Sequence, residues 1–478
     1  MHVTPTGPTA TDGSPAAAGH TPVRPRVHDG LRLVRYVVQD RPRVPVLPSC
    51  VSYSAHLSTH PEIAAAAVDT VTGGAALGDH DLARAAAVGE AVERYCGNLV
   101  PDALPIDTWT RLVRAGRPAT DPRDFALYSP TQYAQRGFPF VAMAPDLPIA
   151  WTIGRDLASD EEVLVPASLT YVNYFRGARR AEPPTNYPIL AGTAAGASRQ
   201  AAQLAALREV LERDAVTLWW LSGASAAPLA LDADDRITTA LSEAEAGGLH
   251  VTFLRIPSTF DITVAGVFIE DPERGLVAFG SACRSTPEDS AAKALTEAVG
   301  MHETGLELLA HEGDFWTAVR SGRIGHRPYR PHRHDRAYLR DFRADWRDVN
   351  DVRLHLQVYL DPRTQGSRLD RLRAPGTARN TPPAPDGRGH REPAGMDDHL
   401  RMLADQGLRA IAVDLTPPQV RAAGFHVVRV LVPGLTCNAP AAFPFLGGRR
   451  LYHEPVARGW LPRPPREGEL VRAPLPFS

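Results

Sequence analysis

Short runs of β-branched and aromatic residues alternate with longer alanine-rich segments along this chain of 478 residues. The runs have the composition of buried strands, and the alanine-rich segments carry apolar residues at helical spacing. We predict strands at 251–257, 263–270, 276–282, 352–360, 411–416 and 426–432. We predict helices at 81–95, 199–218, 288–303 and 397–406. This alternation favours an α/β fold in which mixed sheets pack against helices.

Two segments contain too few large apolar residues to pack a core. Residues 1–29 are rich in Pro, Thr, Ala and Gly, so we predict a disordered N-terminal tail. Residues 363–395 have a similar composition and are predicted to form a flexible surface insertion. The remainder, 30–478, is predicted to be one domain that ends in a proline-containing tail at 461–478.

Composition and charge exclude several classes of protein. The formal net charge of −2 argues against nucleic acid or a membrane as partner. Lys293 is the only lysine, which excludes P-loop NTPases and protein kinases, because both need a lysine in another sequence context. The four cysteines form no CxxC pair, so we expect reduced thiols. With no signal peptide and no membrane-length apolar run, we expect a cytoplasmic protein.

Three of the predicted helices carry similarly placed glutamates, in GEAVERY at 89–95, REVLERD at 208–214 and TEAVGMHE at 296–303. Glutamates three positions apart share one helix face, so adjacent helices can direct several carboxylates at one point. Hard dications such as Mg²⁺ prefer oxygen ligands of this kind. The candidate metal ligands are Glu90, Glu93, Glu209, Glu212 and Glu297. The alternative for each motif is a solvated face with a local ion pair.

These motifs resemble those of the YcaO family, and the resemblance extends from about residue 28 to the C-terminus. GEAVERY resembles the first ATP-site helix of that family, 190–215 resembles the second, and 280–299 resembles the third. The segment VLVPASLTYVNY, the C-terminal VPGL and GGRRLY motifs, and the ending APLPFS also resemble family landmarks. The resemblance implies a YcaO-like fold with internal pseudo-repeats of glutamate-bearing helices. It also implies ATP and Mg²⁺ as cofactors.

The resemblance assigns nucleotide contacts to Arg94, Arg213, Gly192, Ser198 and Lys293, with the five glutamates holding Mg²⁺. Several positions depart from the family pattern. Small residues replace expected contacts at Ala75, Ala86, Ala191, Ala201 and Gly300, and Ser478 replaces the last proline of the tail. The magnesium carboxylates are thus present, whereas groups expected to steady the nucleotide are largely replaced.

The resemblance implies an ATP-dependent peptide-backbone cyclodehydratase that forms thiazolines or oxazolines in ribosomally made precursor peptides, including thiopeptide antibiotics. We expect a separate leader-peptide-binding partner, either an E1-like protein or one with a recognition element. The replaced contacts leave two alternatives open, a YcaO-like pseudoenzyme that acts as a scaffold and an enzyme that makes a thioamide or macroamidine. The sequence does not assign a catalytic base, and it leaves open whether the chain forms a homodimer.

Three other features receive structural interpretations. The arginine- and histidine-rich segment at 326–346 is interpreted as a solvated face, with contact to an acidic peptide as the alternative. Trp219 and Trp220 are interpreted as core or interface residues, since aromatic side chains bury large areas. His302 is interpreted as an ordinary surface histidine, with a general base as the alternative that its position allows.

Overall fold

The computed structural model describes residues 32–42, 46–59, 70–324, 328–375 and 395–476, together with Ile63 and Pro393. The strands are β1 (Val34–Gln39), β2 (Cys50–Leu57), β3 (Val71–Leu77), β4 (Ile106–Asp107), β5 (Ile149–Asp156), β6 (Glu162–Pro166), β7 (Thr193–Gly196), β8 (Ala227–Pro228), β9 (His250–Ile256), β10 (Val264–Asp271), β11 (Leu276–Ala282), β12 (Ile411–Asp414) and β13 (His426–Leu431). The α-helices are α1 (His80–Gly97), α2 (Trp109–Arg114), α3 (Pro130–Tyr133), α4 (Ala167–Thr170), α5 (Arg199–Ser222), α6 (Asp235–Ala246), α7 (Pro287–Leu309), α8 (Asp314–Arg320), α9 (Arg353–Val358), α10 (Asp370–Arg373), α11 (Met396–Ala404), α12 (Pro418–Ala422) and α13 (Arg450–Ala457).

The strands form three sheets, and neighbouring named strands pair antiparallel. The first sheet has the order β1-β2-β3, and the second has the order β11-β10-β9-β8. The third has the order β4-β5-β12-β13-β7, with β6 added beside β5. The predicted α/β class with sheets packed against helices is confirmed.

The three glutamate-bearing helices lie between or beside these sheets. Helix α1 packs against β2 and β3 and also against β7, so it lies between the first and third sheets. Helix α5 packs in one core with residues of the second and third sheets, including Val428 and Phe279. Helix α7 packs on β10 and β11 and also touches β3. The fold therefore brings all three helices close to one another.

Each of these helices contacts a glycine on the strand that precedes it in sequence. A Cβ atom added to Gly74 would lie 2.1 Å from the backbone nitrogen of Ala87 in α1. One added to Gly196 would lie 2.7 Å from the nitrogen of Ala202 in α5. The alanine-rich helix faces and these glycines together permit close backbone packing. They therefore allow a short distance between each helix and the strand beneath it.

Gly280 on β11 contacts α7 in the same way, so substituting it tests whether this close packing stabilises the protein. In Gly280→Ala, the new Cβ would lie 2.2 Å from the carbonyl oxygen of Ala294, so we expect the free energy of unfolding to fall by about 1–3 kcal/mol. Gly300→Ala is the matched control, because it lies in α7 with no atom within 4 Å of its added Cβ. Replacing a glycine inside a helix should raise stability by about 0.5–1 kcal/mol. Chemical denaturation measures the unfolding midpoint of each variant. Equal shifts of the two midpoints would contradict this packing.

The predicted strand at 352–360 is wrong, because this segment forms α9 and its following turn. The segment RLHLQV alternates polar and apolar residues, which is the pattern of a half-buried strand. In the helix His355 and Gln357 are buried as well, because His355 accepts a hydrogen bond from the Ala441 N–H and Gln357 donates one to the Arg330 carbonyl. The other predicted strands and helices are present, with ends that differ by a few residues.

The predicted disordered tail at 1–29 lies outside the described residues, as do most residues of the predicted insertion at 363–395. The part of that insertion up to residue 375 is described, and it forms short helical turns. Leu369 and Leu372 are completely buried there, so these residues pack into the domain. Across the described residues, helices with the length and apolar character of a membrane span do not occur.

Candidate active site

Glu90 and Glu93 lie one turn apart on α1. Asp79 caps the N-terminus of this helix, and its side chain accepts a hydrogen bond from the Leu82 N–H. The Arg94 guanidinium lies 3.2 Å from the Glu90 carboxylate, on the same helix. Burial raises the pKa of Glu93 well above its usual range, and the nearby carboxylates of Glu209 and Glu90 raise it further. Arg94 and Arg429 oppose this effect.

Glu209 is positioned by the turn that precedes β7. Its Oε2 accepts a hydrogen bond of 3.0 Å from the backbone N–H of Gly192, whose carbonyl accepts from Val430 on β13. Gly192 has a φ of +88°, and an added Cβ would lie 2.6 Å from the Val430 carbonyl oxygen. Glycine is therefore required at this position, both for its backbone conformation and for its close contact with the sheet.

Glu212 connects α5 to the second sheet. Its carboxylate accepts hydrogen bonds of 2.7 Å from Ser281 Oγ and 3.1 Å from the Cys283 N–H, and the residue is 3% exposed. Burial raises its pKa, while the neighbouring Arg213 and Arg284 guanidinium groups oppose this. These hydrogen bonds connect α5 to the end of β11, the strand that precedes α7.

Glu297 is paired with Lys293 one turn earlier on α7, at an Nζ–Oε1 distance of 2.5 Å. Burial would raise the pKa of Glu297, but Lys293, Arg213 and Arg284 outweigh this and leave it lowered. Glu297 also acts electrostatically on Glu90 of α1. The third helix therefore contributes a charged carboxylate, with its own cation, to the same region as the first.

Arg213 lies among the carboxylates of two helices. Its guanidinium is 3.9 Å from Glu209 and 3.7 Å from Glu212. Burial tends to lower its pKa, but Glu212, Glu209 and Glu297 outweigh burial and raise it. These ion pairs and electrostatic effects link the five predicted carboxylates as a series of neighbouring charges, which we call the glutamate cluster.

The chemistry of the glutamate cluster fits Mg²⁺. It supplies carboxylate oxygens from three helices, which are the donors that this ion prefers. Glu93 is flanked by the like charges of Glu209 and Glu90, and a bound dication would offset the cost of burying it.

The predicted nucleotide contacts are only partly gathered at the cluster. Arg94, Arg213, Gly192 and Lys293 each touch one of the glutamates. Ser198 instead caps the N-terminus of α5, where its hydroxyl accepts a hydrogen bond from the Ala201 N–H. It lies about 16 Å from Glu209 along the helix axis, at the usual rise per residue. Its role as a nucleotide contact stays a prediction.

Two arginines that the sequence did not identify as candidate site residues lie near the cluster. Arg429 is 1% exposed on β13, donates 2.9 Å to Thr193 Oγ1, and interacts electrostatically with Glu93 and Glu209. Burial lowers its pKa to about 10. Arg284 follows β11 and acts on Glu212 and Glu297. The available signal for Arg429 was a single arginine inside the apolar run HVVRVLV.

Two cavities adjoin this region and share Cys437 and Phe445 in their linings. One is lined by Arg213, Arg429 and Ala191 together with apolar side chains. The other is mainly apolar and is bordered by residues 472–475. A charged cavity and an apolar cavity therefore lie next to each other.

The C-terminal tail is held in place by backbone hydrogen bonds. The carbonyl of Ala473 accepts from the Trp220 indole N–H at 2.7 Å, and the carbonyl of Pro474 accepts from the Tyr359 hydroxyl at 2.5 Å. The Phe279 N–H donates to Pro476 at 2.9 Å. Trp219 and Trp220 are buried at this contact, which confirms their interpretation as packing residues.

The structure corrects the interpretation of His302. This histidine is 1% exposed inside α7, and its Nε2 lies 2.8 Å from the carboxylate of Asp271 at the end of β10. The Asp271 partner is 31 residues away in sequence, so helical periodicity alone could not reveal it. His302 is therefore a buried, paired histidine and not a surface one. The four cysteines lie among the described residues and form no disulfides, in agreement with the expected reduced thiols.

A family model described as YcaO cyclodehydratase, ATP- and Mg²⁺-binding, matches residues 74–436. The chain is also 27% identical, over 375 residues, to an uncharacterised protein of Methanothermobacter thermautotrophicus; the match covers 74% of this chain and 78% of that protein.

Among solved structures, a heterocyclase in complex with substrate and cofactor matches with a TM-score of 0.68 and 21% identity, covering 93% of this chain and 55% of that one. The heterocyclase TruD matches with a TM-score of 0.54 and 21% identity, covering 82% of this chain and 50% of TruD. The Escherichia coli microcin synthetase McbBCD complex matches with a TM-score of 0.52 and 11% identity, covering 84% of this chain and 88% of that one.

The chain spans about half the length of the first two of these heterocyclase chains. At these identities the structural matches establish the fold. The family model covers most of the chain, and it includes the whole glutamate cluster. The chain therefore belongs to the YcaO cyclodehydratase family.

Proposed function

We propose that this protein is an ATP- and Mg²⁺-dependent cyclodehydratase that forms azolines in a ribosomally made precursor peptide. The observation that carries the proposal is the glutamate cluster, which contains carboxylates of α1, α5 and α7 inside the family-matched region, with Arg213 beside those of α5 and α7. Such a cluster supplies the ligands for a metal-nucleotide complex without the lysine loop of a P-loop enzyme.

In the proposed reaction, the Cys, Ser or Thr side chain of the precursor adds to the preceding amide carbon and loses its proton. The former amide oxygen then attacks the γ-phosphorus of ATP, and ADP leaves. The C–O bond breaks as phosphate departs, the amide nitrogen loses its proton, and a C=N bond forms within the ring that the side-chain addition had closed. The peptide loses one water in total, and its oxygen leaves in the phosphate.

The proposed roles of the protein's side chains follow from charge and position. Glu90, Glu93 and Glu209 would hold Mg²⁺, which supplies neutralisation of negative charge on the phosphates. Arg213 and Arg429 line the charged cavity, where their fixed positive charges favour phosphate oxygens over neutral groups. Glu212 keeps α5 at a fixed distance from the second sheet through its hydrogen bonds to Ser281 and Cys283.

The apolar cavity beside the C-terminal tail is the proposed site for the reacting peptide. It shares a wall with the charged cavity, so a peptide amide placed there would be close to nucleotide in the other. The tail segment at 472–475 borders it and is fixed by Trp220 and Tyr359. We further propose that a separate leader-peptide-binding protein delivers the precursor to this site.

The test is a reconstitution of the purified chain with ATP, Mg²⁺, the candidate precursor and its leader-binding partner. We expect the peptide to lose one water per ring, with one phosphate and one ADP released for each water lost. Omission of Mg²⁺ or of ATP should abolish both products. A peptide that gains sulfur, or forms a new amidine crosslink, would instead identify thioamide or macroamidine chemistry.

One observation favours a scaffold function as the second candidate. Ala191 lines the charged cavity in a position where the family pattern places a polar side chain, and Ala75 replaces the expected lysine. Equilibrium binding of a non-hydrolysable ATP analogue with Mg²⁺ separates the two functions. Saturable binding supports the enzyme, whereas precursor binding without nucleotide binding would establish the scaffold.

A further inference from the structure

Three histidines form a compact group at the end of α7, remote in sequence from the glutamates. His311 follows the helix, and His332 and His334 lie in the arginine- and histidine-rich segment. The ring centroids are 4.7 Å apart for His311 and His332, 4.6 Å for His311 and His334, and 4.7 Å for His332 and His334. One nitrogen from each ring lies within 4.8 Å of the others.

In His311 and His332, one ring nitrogen makes a hydrogen bond and the other nitrogen keeps an available lone pair. His332 Nε2 lies 3.2 Å from the Leu309 carbonyl oxygen, which can only accept, so Nε2 carries the proton. Its Nδ1 therefore carries the lone pair, and this atom is buried without a hydrogen-bond partner. His311 Nδ1 lies 2.6 Å from the Glu312 carboxylate, which leaves Nε2 as the acceptor.

This pattern is typical of imidazoles that bind metals. A metal-binding histidine usually donates its second nitrogen to a carboxylate or backbone carbonyl, which fixes the ring and raises its basicity. His311 and His332 already have these two kinds of partner. A buried nitrogen without a partner, as in His332, carries an energetic cost that a bound cation would remove.

The charges around the group are compatible with a cation. Arg320 lies nearby, but its guanidinium is 2.9 Å from Glu312. Arg333 lies between His332 and His334 in sequence and is paired with Asp335 at 2.8 Å and Asp341 at 2.9 Å. Both arginines are thus paired with carboxylates, and Arg320, which also donates a hydrogen bond of 2.6 Å to the His311 backbone carbonyl, has its positive charge partly offset by Glu312.

We propose that His311, His332 and His334 form a binding site for a transition-metal dication of the Zn²⁺ class. Three imidazoles favour such an ion over Mg²⁺, which prefers oxygen. Zn²⁺ binds imidazole nitrogen at about 2.0–2.1 Å, which in a tetrahedral site sets the nitrogens about 3.4 Å apart. The exposed His334 side chain can make the small inward movement required, and water would take the fourth position.

The site would fasten the segment around 332–334 to the end of the helix that bears Lys293 and Glu297. It would be independent of the glutamate cluster, which binds a different class of cation. Metal at the histidines would restrict movement of this surface, because it adds a connection between two segments that are about 20 residues apart in sequence.

The test is calorimetric titration of metal-free, full-length protein with Zn²⁺, in excess Mg²⁺ to occupy the carboxylates. We expect one Zn²⁺ per chain and visible absorption typical of low coordination number when Co²⁺ replaces it. His332→Gln and His334→Gln should each weaken binding by at least about 100-fold, since loss of a ligand exceeds the effect of losing a supporting hydrogen bond. His453→Gln, an exposed histidine on α13, should leave binding unchanged.

A chain that binds no stoichiometric Zn²⁺ would overturn the proposal. So would binding that survives both His332→Gln and His334→Gln, because the ion would then lie elsewhere. Circular dichroism of each variant shows whether the fold is retained, and His334→Gln alters an exposed side chain whose ring contacts are with His311 and His332. Either outcome is independent of cyclodehydratase activity.

Discussion

Glu209→Gln is expected to reduce Mg²⁺-dependent ATP turnover by about three orders of magnitude while the protein stays folded. The substitution preserves the size of the side chain and removes its negative charge. Its carboxylate faces Arg213 at 3.9 Å and lies near Glu93, where it contributes to the proposed metal site. The amide oxygen of glutamine can still accept the hydrogen bond from the Gly192 N–H, so local structure should be maintained.

Steady-state phosphate release and analogue binding would measure this effect. Glu245→Gln is the matched control, because it makes the same chemical change on an exposed face of α6. It should retain full turnover. Turnover by Glu209→Gln within a few-fold of the wild type would contradict the assignment of Glu209 to the metal site.

Glu212→Gln should behave differently from Glu209→Gln. The Glu212 carboxylate accepts from both Ser281 and the Cys283 backbone, and one of these donors would face the amide NH₂ of glutamine. Loss of a buried hydrogen bond to a charged group should therefore lower stability as well as turnover. Comparison of the two variants separates a residue that holds the metal from one that positions the helix.

Arg450→Leu is expected to lower the free energy of unfolding by about 3–5 kcal/mol. The Arg450 guanidinium lies 2.9 Å from the carboxylate of Asp214, which is completely buried beside the second glutamate motif. Burial raises the pKa of Asp214, and Arg450 is the main group that opposes this. Without the arginine, the buried carboxylate loses its counter-charge and the hydrogen bond from Arg450, and keeps only the hydrogen bond of 2.9 Å from the Thr436 N–H.

Chemical denaturation would measure this loss. Arg458→Leu is the control, since Arg458 follows the same helix and is 42% exposed with a carboxylate at 3.7 Å. Its ion pair is near the surface, so its removal should change stability by less than about 1 kcal/mol. A second variant that combines Arg450→Leu with Asp214→Asn should recover part of the loss. Equal effects of Arg450→Leu and Arg458→Leu would show that the buried pair has no special importance.

The helices that carry the glutamates could be predicted because their signals are local. Alanine-rich faces, cap residues and a spacing of three between Glu90 and Glu93 are visible within one segment. The convergence of α1 and α5 could be inferred only from their matching motifs. The structure adds the reason, which is that each helix packs against a glycine of the preceding strand, such as Gly74.

Arg429 could not be assigned from the sequence, because its role depends on strand pairing. It faces α1 only because β13 lies beside β7, where its partner across the sheet is Thr193. The pairing of Asp214 with Arg450 is likewise set by tertiary structure and not by periodicity. The error at 352–360 has a related cause, since its strand-like alternation includes His355 and Gln357, which are buried through hydrogen bonds to distant residues that the sequence does not reveal.

The pairing of Asp214 with Arg450 has a consequence for the order of events during protein synthesis. The two residues are separated by 236 positions. At a typical elongation rate of about 5–20 residues per second, roughly 10–50 s pass between synthesis of the aspartate and synthesis of its arginine. In that interval Asp214, at the end of the second glutamate motif, has been synthesised but its ion-pair partner Arg450 has not. We expect the nascent chain to remain dependent on chaperones until the C-terminal helix emerges from the ribosome.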